Sequence, residues 1–575
     1  MQGKAKILSV RWGWVLALTL VGNALGATQT VITARPLLDD EAMGYRAVYL
    51  VDLERRGSDT RGALILRDPG RGEQVYPLDL AARARKRIYL SVTTTTRSAL
   101  PMRFRAPRLE WRGENGERQS VELPALLQLR VPIVVVGDML GGLERLNQQQ
   151  TRFTSEASLG GAADRPQFKV YYRRPAELPD ESQPLLELPM IALVGGAETL
   201  SAAQWRALQQ WLVAGGSLMV SVGSFGPSIK TLPVASLLPT IQFAESPSGL
   251  ATLDSDTEDW HPAALDEARR PVLYWRRVGL GNLYLFMGNL EQPEWRNWNG
   301  LPEMVETIAL SSAFPSERLS RQFDGAASRE QQRTRYAQPT VGAIALIVYA
   351  ALVWNLTAWL RRRRRLASVF APLSALTLLV SGAIFVFPPR AEVSEPVVFT
   401  WLYPGETGDG MEIGYGYASL EAGRHTLRLP DGAVLLEFAA SPNAAVQTRY
   451  PSASPIVEVR CPARTHIGVC FVRFVDDPPR LEVRRQGNTL LIRNLSSQPL
   501  NSVQVFARSL SMEEPSVLWQ RVRLQPGHSA TATIVQENLA DYIWVQAFYD
   551  RRGAPLMTLN DAPMQEVNTL CVFAP

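Results

Sequence analysis

Five residues in the first half of the chain are of types that could bind a ligand, and each follows a short apolar run typical of a buried strand. They are Asp138, Gly195, Gly196, Glu198 and Ser224. Open parallel α/β sheets bind ligands beyond the carboxyl ends of their strands, so this placement predicts a ligand-binding edge. The alternative is that the five are ordinary loop and capping residues, which their types equally allow.

Nucleophilic catalysis has little support in the sequence. A nucleophile needs a base that accepts its proton, yet no cysteine precedes Cys461, and the sole histidine in residues 128–315 is His261. The common phosphate-binding and serine-nucleophile motifs do not occur. Three cysteines and four scattered histidines predict no metal site, and no motif predicts a cofactor. We therefore predict a protein that is not an enzyme. The alternative is a hydrolase or transferase that uses the carboxylates of Asp138 and Glu198.

Cys461 and Cys470 are predicted to form a disulfide. They flank a short turn between two strand-like runs, residues 456–459 and 471–475. Pairing of these runs would bring the Cα atoms within the roughly 4.4 to 6.8 Å that a disulfide requires, and an exported protein meets an oxidising compartment. In the alternative, both are small core residues and one of them pairs with Cys571.

The net charge of +5 does not indicate nucleic-acid binding. Eight basic residues lie beside apolar runs: Lys4, Lys6, Arg11, Arg361, Arg362, Arg363, Arg364 and Arg365. Without these eight the net charge is −3. The rest of the sequence has no basic cluster of the kind that a phosphate backbone requires. We therefore predict no nucleic-acid partner.

The apolar runs predict an exported membrane protein. Residues 1–26 combine a basic start, an apolar stretch and small residues before a cleavage site, as in a signal peptide; an uncleaved N-terminal anchor is the alternative. Residues 341–360 and 366–387 are long enough to be transmembrane helices, and the arginines at 361–365 predict a cytoplasmic turn between them. This topology predicts a bacterial inner-membrane location, contact with the lipid bilayer, and a mostly periplasmic chain.

Strand and helix signals divide the exported residues into predicted domains. Short alternating strands predict β-sandwiches at residues 28–127, 391–477 and 478–575, and residues 316–340 form a polar linker. Residues 128–315 predict a flavodoxin-like parallel α/β domain, because apolar strands alternate there with a helix.

The best local signal is a helix that begins after Ser201. Gln204 completes a capping box with this serine, and Gly215 and Gly216 predict the end of the helix. Residues 271–288 predict a β-hairpin with a glycine-containing turn.

The order of capped helix, Gly-Gly stop, apolar strand and Gly279-x-Gly281 hairpin resembles the glutamine-amidotransferase-like (class I) domain over about residues 128–315. The resemblance implies an uncharacterised bacterial membrane protein, of a kind sometimes encoded near MoxR-type ATPases. Enzymatic members carry a cysteine nucleophile with a histidine partner, and this region has no cysteine. No glutaminase activity is therefore expected.

Together these features predict a non-catalytic inner-membrane scaffold or sensor that presents periplasmic binding domains to envelope or protein partners. The alternatives are a periplasmic hydrolase or transferase, and an accessory subunit of a transport complex. Trp401, Trp519 and Trp544 could stack on sugars, but their positions in or near strands favour the core.

Overall fold

The structure is a computed structural model that describes residues 29–311 and 395–573. Within these limits it leaves out segments 39–41, 44–45, 69–71, 94–106, 124–128, 139–142, 144–166, 244–248, 255–259, 406–408, 441–443, 452–453, 463–464, 509–515, 534–541 and 552–554. The predicted signal peptide, both predicted transmembrane helices and the arginine turn lie outside the described residues.

The described residues are mostly β, with 58% in strands and 14% in helices. The strands before residue 300 are β1 (Gln29–Pro36), β2 (Ala42–Met43), β3 (Arg46–Arg56), β4 (Thr60–Asp68), β5 (Gly72–Leu80), β6 (Arg85–Thr93), β7 (Arg108–Gly113), β8 (Arg118–Glu122), β9 (Leu129–Val136), β10 (Gln167–Arg173), β11 (Met190–Leu193), β12 (Ser217–Ser221), β13 (Ile241–Gln242), β14 (Thr252–Leu253), β15 (His261–Leu265), β16 (Pro271–Val278) and β17 (Gly281–Phe286). The α-helices are α1 (Ser182–Leu185), α2 (Ala202–Val213), α3 (Val222–Phe225), α4 (Pro293–Arg296) and α5 (Leu301–Ser311).

The strands after residue 395 are β18 (Val397–Pro404), β19 (Asp409–Leu420), β20 (Gly423–Arg428), β21 (Val434–Ala440), β22 (Ala445–Arg449), β23 (Ile456–Cys461), β24 (Thr465–Asp476), β25 (Leu481–Gln486), β26 (Thr489–Asn494), β27 (Leu500–Arg508), β28 (Ser516–Leu524), β29 (Ser529–Thr533), β30 (Tyr542–Phe548), β31 (Thr558–Leu559), β32 (Ala562–Pro563) and β33 (Gln565–Phe573).

An eleven-stranded sheet contains the parallel strands. Its order is β1-β3-β2-β9-β11-β12-β17-β16-β15, with β10 paired to β9 and β6 paired to β3. Strands β9, β11, β12 and β17 are mutually parallel neighbours. Their side chains alternate between two buried clusters. One contains Trp205 and Trp211 of α2, and the other contains Leu301 and Val305 of α5. Helices therefore cover both faces of these strands, as burial on both faces of a parallel sheet requires.

A nine-stranded sheet joins the two halves of the chain. Its order is β32-β31-β20-β23-β22-β5-β4-β7-β8. The joint is the parallel pair of β22 with β5, in which Gln447 lies opposite Glu73 and Arg449 opposite Val75. Beyond the joint, the rings of Tyr76 and Tyr450 stack with their centroids 4.7 Å apart. One sheet is therefore built from strands of residues 60–122 and of residues 423–563.

An eight-stranded sheet has the order β21-β24-β19-β18-β33-β30-β27-β28. A three-stranded sheet, β25-β26-β29, contributes Leu490 and Ile492 to a buried cluster that also holds Val503, Val505 and Val545 of the eight-stranded sheet. Strands β13 and β14 form a separate pair. The eight-stranded sheet therefore buries part of one face against the three-stranded sheet.

The predicted fold class is wrong. The described residues form several extended sheets, and the parallel strands continue into strands β1–β3 and β6 instead of forming a separate flavodoxin-like domain. The longest described helix, α2, has 12 residues, and no described helix is long and apolar enough to cross a membrane. The predicted two-helix transmembrane hairpin lies outside the described residues, and the amidotransferase-like assignment lacks support from them. Local periodicity identified strands correctly but carried no information on their partners. The predicted domain boundaries stay predictions.

The predicted disulfide between Cys461 and Cys470 is not formed, and none of the three cysteines, all of them buried, is in a disulfide. The two strands that carry the first two are not paired with each other. Strand β23 pairs with β20 and β22, which places Cys461 opposite Gly423. Strand β24 pairs with β19 and β21, which places Cys470 opposite Tyr415. The required hairpin does not form because both neighbours of β23 and both neighbours of β24 are other strands.

Two local predictions are confirmed. Strands β16 and β17 form the antiparallel hairpin expected over residues 271–288. The Ser201 hydroxyl accepts from the Gln204 amide at 3.2 Å, and the Gln204 side chain accepts from the Ser201 amide at 2.9 Å. The Gln204 side chain also donates to the carbonyl oxygens of Pro175 and Leu178, both at 2.7 Å. The capping box therefore ties α2 to the preceding segment.

Substitution Ser201→Ala is expected to lower the free energy of unfolding by about 1 kcal/mol, because the amide of Gln204 loses its acceptor. Ser201→Gly, the matched control, should cost only a few tenths of that, because glycine exposes the helix end to water. Urea unfolding followed by tryptophan fluorescence measures both. Unchanged stability of Ser201→Ala would show that the cap does not stabilise the helix.

Candidate ligand-binding edge of the parallel strands

The carboxyl ends of four neighbouring parallel strands lie along one edge of the eleven-stranded sheet. The strands end at Val136 (β9), Leu193 (β11), Ser221 (β12) and Phe286 (β17). Pairing brings Val136 opposite Leu193 and Ser221 opposite Phe286. The five sequence-predicted residues all follow these strand ends, so the structure brings them to the same edge.

Two glycines allow close approach of the loops after β9, β11 and β17. The amide of Gly195 donates to Oε1 of Glu291 at 3.1 Å, and its carbonyl accepts from the amide of Asp138 at 2.9 Å. Gly196 has φ +94°, and its amide donates to Glu198 at 2.9 Å. A Cβ atom on Gly196 would lie 2.5 Å from Cγ of Asp138. Both the backbone conformation and the available space therefore favour glycine at position 196.

Ser224 belongs to a second group of hydrogen bonds at this edge. Its hydroxyl donates to Oδ1 of Asn289 at 2.9 Å and lies 2.8 Å from the hydroxyl of Ser221. Asn289 Oδ1 also accepts from the amide of Glu291, at 2.9 Å. The Ser221 hydroxyl lies 3.1 Å from the carbonyl oxygen of Gly288, to which it can donate. Ser224 therefore contacts neutral amide and hydroxyl groups, and none of these is a base that could activate it as a nucleophile.

Three carboxylates give the edge its charge. Asp138 and Glu198 are exposed, and Glu291 is half-buried. Burial raises the pKa of Glu291; the hydrogen bond from Gly195 opposes this rise, and the charge of Glu198 adds to it. Among the described residues, no group of three or more histidine, cysteine, aspartate or glutamate side chains could hold a metal ion. The edge is chemically suited to accept hydrogen bonds from hydroxyl or amino groups of a ligand.

Asn289 and Glu291 were missed by the sequence analysis. Both follow β17, the fourth parallel strand, whose sequence was interpreted as the second strand of a hairpin. Polar residues that follow an apolar strand were the same signal that identified Asp138 and Glu198. If β17 had been recognised as a parallel neighbour of β12, Asn289 and Glu291 would have been predicted at this edge as well. His261 lies elsewhere, on β15 opposite Trp275.

At pH values above the raised pKa of Glu291, the substitution Glu291→Gln is expected to raise the thermal midpoint by about 1 °C. The raised pKa means that the folded state holds the proton more tightly than the unfolded state does. The resulting stability is present below the ordinary pKa of 4.5 and is lost as the pH rises through the folded-state pKa. Glutamine cannot ionise and still offers an acceptor to Gly195. Calorimetry across this pH range should show that the thermal midpoints of the wild type and the variant converge at low pH. A variant with a lower thermal midpoint at every pH would contradict the raised pKa of Glu291.

Comparison with known proteins identifies no relative in sequence. No family model matches the chain, and no curated protein matches it. Among solved structures, the yeast delta-COP-I mu-homology domain in complex with a Dsl1 WxWxV peptide aligns with 7% identity and a TM-score of 0.19, covering 32% of this chain and 97% of that one. A bacterial adhesin from Mobiluncus mulieris aligns with 6% identity and a TM-score of 0.09, covering 32% and 99%. Scores this low support no conclusion about fold or function.

Proposed function

We propose that this protein is a non-catalytic scaffold that presents binding surfaces to protein or envelope partners. The basic and apolar pattern of residues 1–26 supports an extracytoplasmic location. The scaffold combines large sheets with a polar edge at the ends of β9, β11, β12 and β17. A partner that carries hydroxyl or amino groups suits this edge, because its exposed groups are carboxylates.

The observation that carries this proposal is the pairing of β5 with β22. It unites strands from both halves of the chain into one sheet, so that the surfaces at either end are held in a fixed relation. The entropy cost of closing such a long loop grows only slowly with its length, so distant segments can be joined in one sheet. That arrangement is favourable in a protein whose task is to hold surfaces in place.

The hydrogen bonds at the candidate edge also support a binding role over catalysis. The Ser224 hydroxyl donates a hydrogen bond to Asn289. The amides of Gly195 and Gly196 donate hydrogen bonds to the carboxylates of Glu291 and Glu198, respectively. These contacts position the loops. Asp138 and Glu198 stay exposed to solvent and are the side chains at this edge most accessible to a partner.

The test is affinity purification of the full chain from its native extract, with co-purifying molecules quantified by mass spectrometry. A double variant, Asp138→Asn with Glu198→Gln, should reduce recovery of the main partner at least about fivefold, equivalent to ~1 kcal/mol. The matched control, Glu54→Gln with Asp79→Asn, removes two exposed carboxylates from β3 and β5. Equal recovery with all three proteins would contradict binding at the edge.

A hydrolase or transferase that uses the edge carboxylates is the second candidate. Its specific support is the half-buried Glu291, whose pKa is raised by burial, since a carboxyl group with a raised pKa can act as a general acid. Glycoside, ester, phosphate and amide substrates should be assayed with the same double variant. If one of these substrates is turned over by the wild type and the control but not by the double variant, the protein is an enzyme and the scaffold proposal is wrong.

A further inference from the structure

The eight-stranded sheet has two faces with different surroundings. On strands β27, β30 and β33, the side chains of Val503, Val505, Val545 and Leu570 point into the cluster shared with the three-stranded sheet. Successive residues of a strand point to opposite faces, so the residues between them form the other face. We call this second face the outer face.

One part of the outer face is already a protein interface within the chain. Tyr403, Met411 and Ile413 of β18 and β19 share a buried cluster with Ala214, which follows α2, and Leu280, which precedes β17. At its border, the guanidinium of Arg277 lies 3.8 Å from the ring centroid of Phe573. The outer face is therefore suited to contact with another folded surface.

Beyond this interface the outer face continues as an aromatic patch whose described members are half-buried or exposed. Its members are contiguous across neighbouring strands: Val517 lies opposite Phe506, and Phe506 lies opposite Trp544. The rings of Phe506 and Trp544 stack at 5.4 Å. Phe548 lies four residues after Trp544 on the same face and is 36% exposed, and Val517 is 51% exposed. Trp544 is half-buried here, although its sequence position favoured the core.

A row of glutamines crosses the same face between Trp544 and Phe548. Gln520, Gln504 and Gln546 lie directly opposite one another on β28, β27 and β30. A glutamine amide both donates and accepts hydrogen bonds. Such a row can therefore pair with a second row of the same kind, which a row of carboxylates or guanidinium groups cannot do.

We propose that the aromatic patch is a dimer interface between two copies of this chain. In a twofold interface the same patch meets itself, so charged groups within it would face their own copies and repel. The named members of the patch and of the glutamine row carry no charge. The basic Arg521 of β28 lies opposite the buried Val503, on the other face of the sheet. The patch also adjoins the apolar contact that the outer face makes within the chain, because Trp544 lies opposite Phe573, which packs against that cluster. Exposed apolar surface is typical of protein contacts.

Self-association of the purified full chain, measured by sedimentation over about 1 to 100 µM, tests this proposal. The wild type is expected to form a dimer. Phe548→Glu and Val517→Glu lie on different strands of the patch, and each should raise the dissociation constant at least about tenfold, or ~1.4 kcal/mol. Circular dichroism and the thermal midpoint of each variant identify any loss of folding.

Leu265→Glu and Leu495→Glu are the matched controls. Both leucines are exposed, at 52% and 50%, and both lie outside the patch. Neither substitution should change the dissociation constant. Because the patch is uncharged, the wild-type constant should also stay within about threefold between low and high salt. A monomer at every concentration, a folded patch variant that dimerises normally, or equal weakening by a control would overturn the proposal. These results are independent of the carboxylate edge, whose proposed function can fail separately.

Discussion

Substitution Glu412→Gln is expected to lower the free energy of unfolding by about 3 to 5 kcal/mol. The Glu412 side chain is fully buried, and its carboxylate forms ion pairs with Arg473 and Arg551. Burial lowers the pKa of both arginines, which shows the cost of holding these charges away from water. Arg551 retains Glu566 at 3.3 Å, but Arg473 would lose the carboxylate that neutralises it. Equilibrium unfolding in urea measures the difference.

The matched control is Glu54→Gln. Glu54 pairs with Arg56 at 3.0 Å, but both side chains are largely exposed, at 50% and 64%. Such surface pairs contribute little, so the loss should stay within about 0.5 kcal/mol. If Glu412→Gln costs no more than this control, the buried ion pairs do not stabilise the sheet.

Substitution Trp211→Ala is the second change with a large expected effect, also about 3 to 5 kcal/mol. Trp211 is fully buried between α2 and the parallel strands, and its Nε1 donates to the carbonyl of Leu188 at 2.8 Å. The indole also lies against Gly216, where a Cβ atom would be 2.1 Å from the ring. Alanine would leave a cavity that these close neighbours cannot fill, and calorimetry or urea unfolding should detect the loss.

Trp211→Phe separates packing from hydrogen bonding. Phenylalanine retains an aromatic ring but leaves the Leu188 carbonyl without its donor, so the expected loss is about 1 to 3 kcal/mol. The alanine variant should be clearly less stable than the phenylalanine variant. Equal losses would mean that packing of the indole contributes nothing beyond its hydrogen bond.

Local features of the fold could be predicted from the sequence. Ser201 and Gln204 act within one helical turn, and the β16–β17 hairpin is formed by residues that are adjacent along the chain. The positions of Asp138 and Glu198 after strands were also accessible, because apolar runs end sharply before them. These signals depend on neighbours within a few residues, which a single sequence contains.

Pairing between distant segments could not be predicted. Nothing in the local pattern of residues 72–80 indicates that β5 lies beside β22, because any strand with a suitable edge satisfies the same periodicity. The same limitation produced the incorrect disulfide, since Cys461 and Cys470 seemed close only if their strands paired with each other. At the candidate edge, Asn289 and Glu291 were missed because the parallel position of β17 is also set by a distant partner.

Strands from both halves of the chain share one sheet, and a paired-cysteine experiment tests this pairing directly. Glu73 and Gln447 are half-buried and lie opposite each other in the β5–β22 pair. Glu73→Cys with Gln447→Cys should form a disulfide under mild oxidation, because neighbouring strands lie about 4.8 Å apart. Glu458 lies opposite Gln447 on the next strand, β23, so Glu73→Cys with Glu458→Cys spans about twice that distance and should not cross-link. Peptide mapping that joins positions 73 and 447, with no link between 73 and 458, is the predicted result. Absence of the first link, or equal formation of both, would contradict the shared sheet.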